Sequence, residues 1–300
     1  MATPNLDYLP RLPRFDYLAP KTIKEACSLL SKYKGITKVI AGGTDLLVSM
    51  KQKKINPHYV VNIKGIPELD YIHYSQESGL KIGALATLQS IASSPIIRDK
   101  FGLLATACNK IGIPQVRNMG TIGGNICNGG PSQDSIPSLL VLNAQLKLVS
   151  LQATRIVPIN KFFIGPFQTA LSKVELLTEI EIPTPPPRSD GCYQWFTKIT
   201  EVDETLVGVA VLMTLDSTGS VCKDIKIGLC SVAPTPIRAK QAEQILQGQK
   251  MGSKTIEQAA RVADEETRPR SRADYRRQMT SVLVKRAVNE VWQKIKQTIV

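Results

Sequence analysis

Aromatic side chains make up only 5% of this 300-residue sequence, and its two histidines, His58 and His73, stand in unrelated contexts. So few rings, with no recognition motif beside them, argue against a domain that stacks on or reads nucleic acid. Neither histidine belongs to an H-E-x-x-H pair and no G-x-S-x-G string occurs, so no metalloprotease helix or esterase nucleophile is visible. The cysteines, Cys27, Cys108, Cys127, Cys192, Cys222 and Cys230, are scattered without a C-x-x-C. That is poor material for zinc or an iron–sulfur cluster, and in a reducing compartment such residues behave as small hydrophobes. No metal is expected in this chain. Apolar runs stay short of the ~20 residues that span a bilayer. Residues 1–14 lack the apolar core of a secretory signal, which makes a cytoplasmic address the expectation.

Negative charge is scarce as well: 25 Asp and Glu against 38 Lys and Arg leave a net charge of +13. The excess sits at the two ends, ten basic against four acidic residues in 1–60 and twelve against six in 250–300. Blocks of like charge are usually a solvated face; a docking surface for an acidic partner is the sharper reading.

What the sequence does hold is a pair of glycine-rich strings, V-I-A-G-G-T-D-L-L at 39–47 and R-N-M-G-T-I-G-G-N at 117–125. Each sets a glycine doublet and a hydroxyl residue beside an apolar run, where main-chain N–H groups can approach and cradle a phosphate. Neither is the G-x-G-x-x-G of a dinucleotide-binding βαβ unit, and no Gly-Lys-Ser/Thr of a Walker loop occurs. Either doublet alone is equally a tight turn. Together they suggest a dinucleotide held between two loops.

The length allows one large domain or two to three smaller ones. Thr22 and Glu25 have capping-box spacing, and Ile23, Ala26, Cys27 and Leu30 recur with helical period, so a helix follows Pro20. Residues 38–41 read as a strand, 46–50 as a helix or turn, and 59–63 as the next strand. From Leu80 a strand leads to a helix starting near Thr87, and 101–111 reads as a second apolar helix. The stretch 111–125 holds too many breakers for a helix and is expected to be an ordered loop. A buried helix at 136–143, paired strands at 146–151 and 154–158, and a strand at 175–183 follow. Then T-P-P-P-R-S-D-G at 184–191 interrupts the pattern, because successive prolines lack N–H donors and favour extended linkers. Beyond it lie β-rich segments at 193–199, 206–215 and 225–232 and helical stretches at 238–246, 253–264 and 273–299. The expected fold class is α+β. Two α/β subdomains, about 1–63 and 64–184, make a first domain of 1–184. A Pro-rich linker at 185–191 leads to a sheet-plus-helices domain at 192–300.

The ordered set F-D-Y-L-A-P-K-T-I-K-E-A at 15–26, both glycine strings, I-P-Q-V-R-N at 113–118 and S-R-A-D-Y-R-R at 271–277 resembles a known family over nearly the whole chain. That family is the FAD-binding medium subunits of the molybdenum hydroxylases, the xanthine and carbon monoxide dehydrogenase group. The resemblance implies a PCMH-type FAD-binding domain followed by a carbon monoxide dehydrogenase flavoprotein-like C-terminal domain. It implies FAD in this chain, molybdopterin in a large partner and [2Fe-2S] clusters in a small one. Electrons would pass between those clusters and NAD or another acceptor, in a heterotrimer or a dimer of heterotrimers. Some relatives, resembling the 4-hydroxybenzoyl-CoA reductases, carry a [4Fe-4S] insertion after the second glycine string, and this chain has no such insertion.

Residue by residue, the resemblance assigns Val39, Ile40, Ala41, Gly42, Gly43, Thr44, Asp45 and Leu46 to the FAD pyrophosphate. It brings Thr121, Gly123, Gly124 and Asn125 to the same phosphates and the ribityl chain. Asp134 matches an aspartate that accepts hydrogen bonds from flavin-side hydroxyls; on its own it is equally a helix N-cap. Ile111 and Gly112 match a position beside one face of the isoalloxazine ring, where a core isoleucine is the plain alternative. Leu177 is assigned to the cofactor as well. Lys198 matches a lysine at the ring edge, where a cation would stabilise reduced flavin; a surface lysine on an alternating strand is the alternative. No catalytic residue is assigned, since the chemistry belongs to the cofactor.

The chain departs from the family in having Gly130-Pro131 for a frequent Ser-Pro. It also has Thr200-Glu201-Val202-Asp203 where an arginine often follows the lysine. Tyr275 and Arg276 are read as a structural or interdomain contact. A stand-alone FAD oxidoreductase, resembling the UDP-N-acetylenolpyruvoylglucosamine reductases, is the enzymatic alternative, though no substrate-site acid or proton donor is found for it. A basic nucleic-acid or scaffold protein is the non-enzymatic one.

Overall fold

The computed structural model describes residues 11–200 and 203–299. Residues 1–10, within the segment read for a secretory signal, and Glu201 and Val202, within one of the departures from the family, lie outside the described residues. The first layer holds β1 (Asp16–Leu18), α1 (Ile23–Lys32), β2 (Thr37–Ile40), α2 (Leu46–Lys51) and β3 (Tyr59–Asn62), with the strands parallel in the order β1-β3-β2. The capping signal holds: the Thr22 hydroxyl accepts from Glu25 N at 3.1 Å. The Glu25 carboxylate reaches back to Lys21 N at 2.7 Å, one residue further than a capping box requires. Side chains alternate across a strand. Val61 therefore packs with Ala26, Cys27 and Leu30 of α1, and Val60 with Ile40 and Met50 on the other face.

The second layer opens with β4 (Ile72–Ser75), β5 (Gly79–Gly83), α3 (Leu88–Ser93), α4 (Pro95–Lys100) and α5 (Gly102–Lys110). It continues through α6 (Pro114–Met119), α7 (Ile122–Asn128), α8 (Ser135–Val141), β6 (Gln145–Val149), β7 (Thr154–Pro158), the hairpin β8 (Phe163–Gly165) and β9 (Gln168–Thr169), and β10 (Leu176–Ile182). Its antiparallel sheet runs β4-β5-β10-β6-β7. Leu80, Ile82, Leu146, Leu148, Ile180 and Ile182 share one core with Ile91, Ile97, Phe101 and Leu104 of the helices.

The stretch 111–125 is not the loop expected from its breakers. It folds into α6 and α7, because the breakers act as punctuation. Pro114 sits at the first turn of α6, where a missing N–H costs nothing. Thr121 caps α7 with its hydroxyl, and Gly129 ends it in the left-handed region at φ 62°.

The third layer is the antiparallel sheet β11 (Ser189–Phe196), β12 (Val207–Leu215), β13 (Cys222–Cys230) and β14 (Ile237–Arg238), backed by α9 (Lys240–Leu246), α10 (Ser253–Glu265) and α11 (Ala273–Ile299). β11 takes in residues 189–191, which the proline-rich pattern had assigned to the linker. The chain turns at Arg188, φ 60°, and Ser189 Oγ is 2.6 Å from Thr214 Oγ1. Val207, Val209, Val211, Met213 and Leu215 of β12 pack against α10 and α11 through Ala259, Val284 and Val288. Ala210 and Leu212, on the other face, join the second layer's core with Leu103 and Leu139. The third sheet is thus buried on both sides. No helix among the described residues is long and apolar enough to cross a membrane.

Candidate functional site

β2 hands its ladder over at Ile40, whose carbonyl accepts from Ile63 N at 3.1 Å. Residues 41–46 then cross to α2, with Gly43 at φ 79°. Among the described residues, the main-chain N–H groups of 41–46 have no hydrogen-bond partner. Asp45 stands at the N-cap of α2 yet makes no side-chain cap. Buried or half-buried backbone donors are normally satisfied by protein, water or ligand, so this run is open to an acceptor rich in oxygen. The Thr44 hydroxyl is unpartnered among the described residues too, 3.7 Å from where a Gly120 Cβ would stand.

The two glycine strings meet. A Cβ at Gly42 would lie 2.2 Å from Met119 O and 2.8 Å from Gly120 Cα, so only glycine lets the first loop lie against the end of α6. The second string, by contrast, has spent most of its donors. Ile122 N bonds Ala86 O and Gly123 N bonds Ala84 O, each at 3.0 Å, and Gly124 N bonds Thr121 Oγ1 at 3.1 Å. A Cβ at Gly123 would stand 2.6 Å from Ala84 O, so its absence serves helix packing. Asn125 is internal: its amide donates to Gln133 and its Oδ1 accepts from Ser135 at 2.6 Å. What faces the first loop is Met119 and Gly120, and the N–H of the next residue, Thr121, is unpaired among the described residues.

Gly112, at φ 52°, makes a turn with Ile111 at the end of α5. Arg117 holds that turn, its Nη1 donating to Gly112 O at 2.9 Å and Ile111 O at 3.3 Å, while its Nε donates to Gln89 at 3.2 Å. α6 has no buried residue, and Ile113 just ahead of it and Met119 at its end are 43% and 51% exposed. Leu177 is only 2% exposed and belongs to the core, so only its main chain could meet a ligand. Lys198 is exposed just beyond β11.

Asp134 sits at the N-cap of α8 but caps nothing. Its Oδ1 accepts from Tyr193 Oη and from Thr205 Oγ1, each at 2.6 Å. Burial pushes its carboxyl above the usual range, and those two hydrogen bonds oppose the rise. Lys110, 6% exposed, donates to Asp203 O at 3.1 Å.

The first departure from the family, Gly130, and the Tyr275-Arg276 pair have close neighbours. A Cβ at Gly130 would stand 3.1 Å from Gln133 Nε2 and 3.3 Å from Phe167 Cε1, so a serine there would be crowded. Arg276 Nη1 donates to Leu206 O at 2.5 Å and Ser231 O at 2.7 Å, and Tyr275 meets Phe196 edge-on. That pair is a structural contact within the third layer. All the cysteines are free and only Cys127 is not fully buried; burial pushes its thiol up to about 12.

Part of the assigned set, the first loop, Ile111, Gly112 and Lys198, therefore falls along one path, while Gly123, Gly124, Asn125 and the Leu177 side chain are taken up in packing. The path runs from Gly42 to Met119 and Gly120, through Arg117 to Ile111 and Gly112, then from Lys110 to the segment that follows Lys198. A separate cavity of about 770 Å³, between α4, α5, β11 and α11 with Arg188, Glu290 and Lys294 in its wall, touches none of the assigned residues. Reading the sequence alone gave no role to Arg117, Lys110, Tyr193 or Thr205, whose partners lie on other elements. The one available signal was Arg117, a cation inside a string with no acid to pair it.

Residues 13–185 match the family model described as the FAD binding domain in molybdopterin dehydrogenase, and residues 196–291 match the CO dehydrogenase flavoprotein C-terminal domain. The chain belongs to the FAD-binding subunits of the molybdenum hydroxylases. Among the relatives of this FAD subunit, the carbon monoxide dehydrogenase medium chain of Hydrogenophaga pseudoflava is 35% identical, over 94% of this chain and 98% of its own. The glyceraldehyde dehydrogenase medium chain of Sulfolobus acidocaldarius is 33% identical, over 93% and 99%. A solved structure of the Hydrogenophaga pseudoflava carbon monoxide dehydrogenase superposes with a TM-score of 0.90, covering 94% of this chain and 99% of the other at 36% identity. The unpaired N–H run at 41–46 and the glycine-only contact at Gly42 fit the diphosphate of FAD.

Proposed function

We propose that this FAD subunit relays electrons between [2Fe-2S] clusters of a small partner and NAD or another acceptor, while a large partner carrying molybdopterin performs the substrate chemistry. The observation that carries the reading is the run of N–H groups at 41–46 that is unpaired among the described residues, closed on one side by Met119 and Gly120. Such a cradle neutralises a diphosphate with dipoles alone, so no cationic side chain is required. The Thr44 hydroxyl and the Thr121 N–H add donors. Ile111 and Gly112, held in their turn by Arg117, supply an apolar ledge that excludes water from one ring face. Lys198 supplies a cation for negative charge at the ring edge. FAD, when bound, takes up electrons singly or in pairs, which suits a relay between clusters and a two-electron acceptor.

The names of the relatives, as medium chains, support an assembly with a large and a small partner, as a heterotrimer or a dimer of heterotrimers. Free cysteines rather than disulfides support a cytoplasmic complex. Within this reading residues 1–184 bind the cofactor and 192–300 carry Lys198 to it.

The test is an absorption spectrum of the purified native complex with released flavin identified and metals quantified. One FAD per copy of this chain, with molybdenum and iron in separable partners, is the expected result. A chain that stays colourless with added FAD overturns the cradle, and a yellow chain fully active alone makes it a stand-alone oxidoreductase.

A further inference from the structure

A buried carboxylate and a buried ammonium are costly to keep, and here both point at one short segment. Asp134 is 7% exposed, and its Oδ1 accepts from Tyr193 of β11 and from Thr205, just ahead of β12, at 2.6 Å each. Lys110, at the end of α5, donates to Asp203 O at 3.1 Å, and Ser132 donates to Glu204. Residues 203–205 are thereby gripped from the second layer. The grip is passed on, because the Asp203 carboxylate accepts from Ile199 N at 3.0 Å and Thr200 N at 2.9 Å, and Lys198 directly precedes them. At the other end of the same set of bonds, Lys110 directly precedes Ile111 and Gly112.

Apolar contacts of Tyr193, Ala210 and Leu212 already dock the third sheet on the second layer. Such contacts are non-directional. Short hydrogen bonds to a carboxyl oxygen are directional and define register.

We infer that Asp134, Lys110, Tyr193 and Thr205 form a latch that positions Lys198 over the flavin edge next to Ile111 and Gly112. This rests on the FAD reading above and assigns Tyr193 and Thr205, which touch no cofactor in that reading, as positioning residues.

The test uses the full chain. Thr205→Val and Tyr193→Phe each remove one hydroxyl from Asp134 with little change of shape, and Thr205→Ser keeps the hydroxyl. In the flavin-free chain, hydrogen exchange at the amides of Ile199 and Thr200 is expected to rise about tenfold in Thr205→Val and in the double variant, and to stay unchanged in Thr205→Ser. In the FAD-loaded chain, the double variant is expected to lower the flavin reduction potential as Lys198→Met does, and adding Lys198→Met to it produces no further shift, the signature of coupled residues. Unchanged exchange overturns the latch. Faster exchange with an unchanged potential, or with a shift that adds in full to that of Lys198→Met, overturns its action through Lys198. If the double variant does not fold, the single variants carry the same comparison. Failure of the wild-type chain to take up FAD is read separately, and it overturns the cofactor reading and with it the positioning of Lys198.

Discussion

At Gly42 the need for glycine comes from space and not from dihedral angle. A methyl group there would meet main-chain atoms of Met119 and Gly120, which cannot swing aside as a side chain can. Gly42→Ala is therefore expected to cost about 1–3 kcal/mol, as overpacking does, and to weaken FAD binding by parting the two loops. Urea unfolding and flavin titration check both effects. Gly102→Ala is the control: nothing lies within 4 Å of its Cβ position at the start of α5, so it should be neutral or stabilise by up to about 1 kcal/mol.

Glu175 illustrates the acid side of stability. Arg155 grips it at 2.6 and 2.8 Å and Ser172 N bonds it at 2.8 Å, and the Arg155 bonds are the chief cause of its lowered pKa. A carboxyl with a lower pKa folded than unfolded stabilises fully above the ordinary range near ~4.3, and the contribution is lost as pH falls through the depressed value. With Arg155 partly exposed, the pair is worth at most about 1 kcal/mol. Glu175→Gln should lower the urea midpoint at pH 7 and leave it unchanged at pH 2 relative to the wild type.

At the scale of elements, the clearest sequence signals were periodic ones. Ile23, Ala26, Cys27 and Leu30 spelled out α1, and the apolar run at 206–215 spelled out the strand β12. The misreading at 111–125 has a physical origin: proline, threonine and glycine both break elements and begin or end them, and only the neighbouring contacts say which. α7 tests this. Thr121→Ala removes the cap on Gly124 N and should cost about 1 kcal/mol, whereas Thr121→Ser should retain it. Paired chemical unfolding curves separate the two. Because Thr121 directly follows Gly120, which meets the first loop, FAD affinity is expected to fall in the alanine variant and recover in the serine variant.

At the scale of the whole molecule, the proline-rich stretch does not separate two independent cores. Tyr193, Ala210 and Leu212 lie beyond it and still share one core with Leu80, Phe101 and Leu139. Thermal unfolding followed by far-UV circular dichroism and by tryptophan fluorescence, from Trp195 and Trp292, should therefore give coincident transitions. Gly228 lies on the same seam, where its Cβ would stand 2.5 Å from Pro137 O. Gly228→Val should lower that shared transition, by about 1–3 kcal/mol.

The sequence by itself determined the family, the periodic helices and strands, and the two glycine strings. Those are matters of local spacing and side-chain chemistry. Only the tertiary structure decided which glycine string offers free donors. The partners of Ile122 and Gly123 are carbonyls of Ala86 and Ala84, on a segment the string itself does not name, while the N–H groups of 41–46 find none among the described residues. It also decided that Asp134 turns away from its helix end toward Tyr193 and Thr205. A hydrogen-bond donor or acceptor is written in the sequence, but whether it is already spent depends on what long-range packing brings against it.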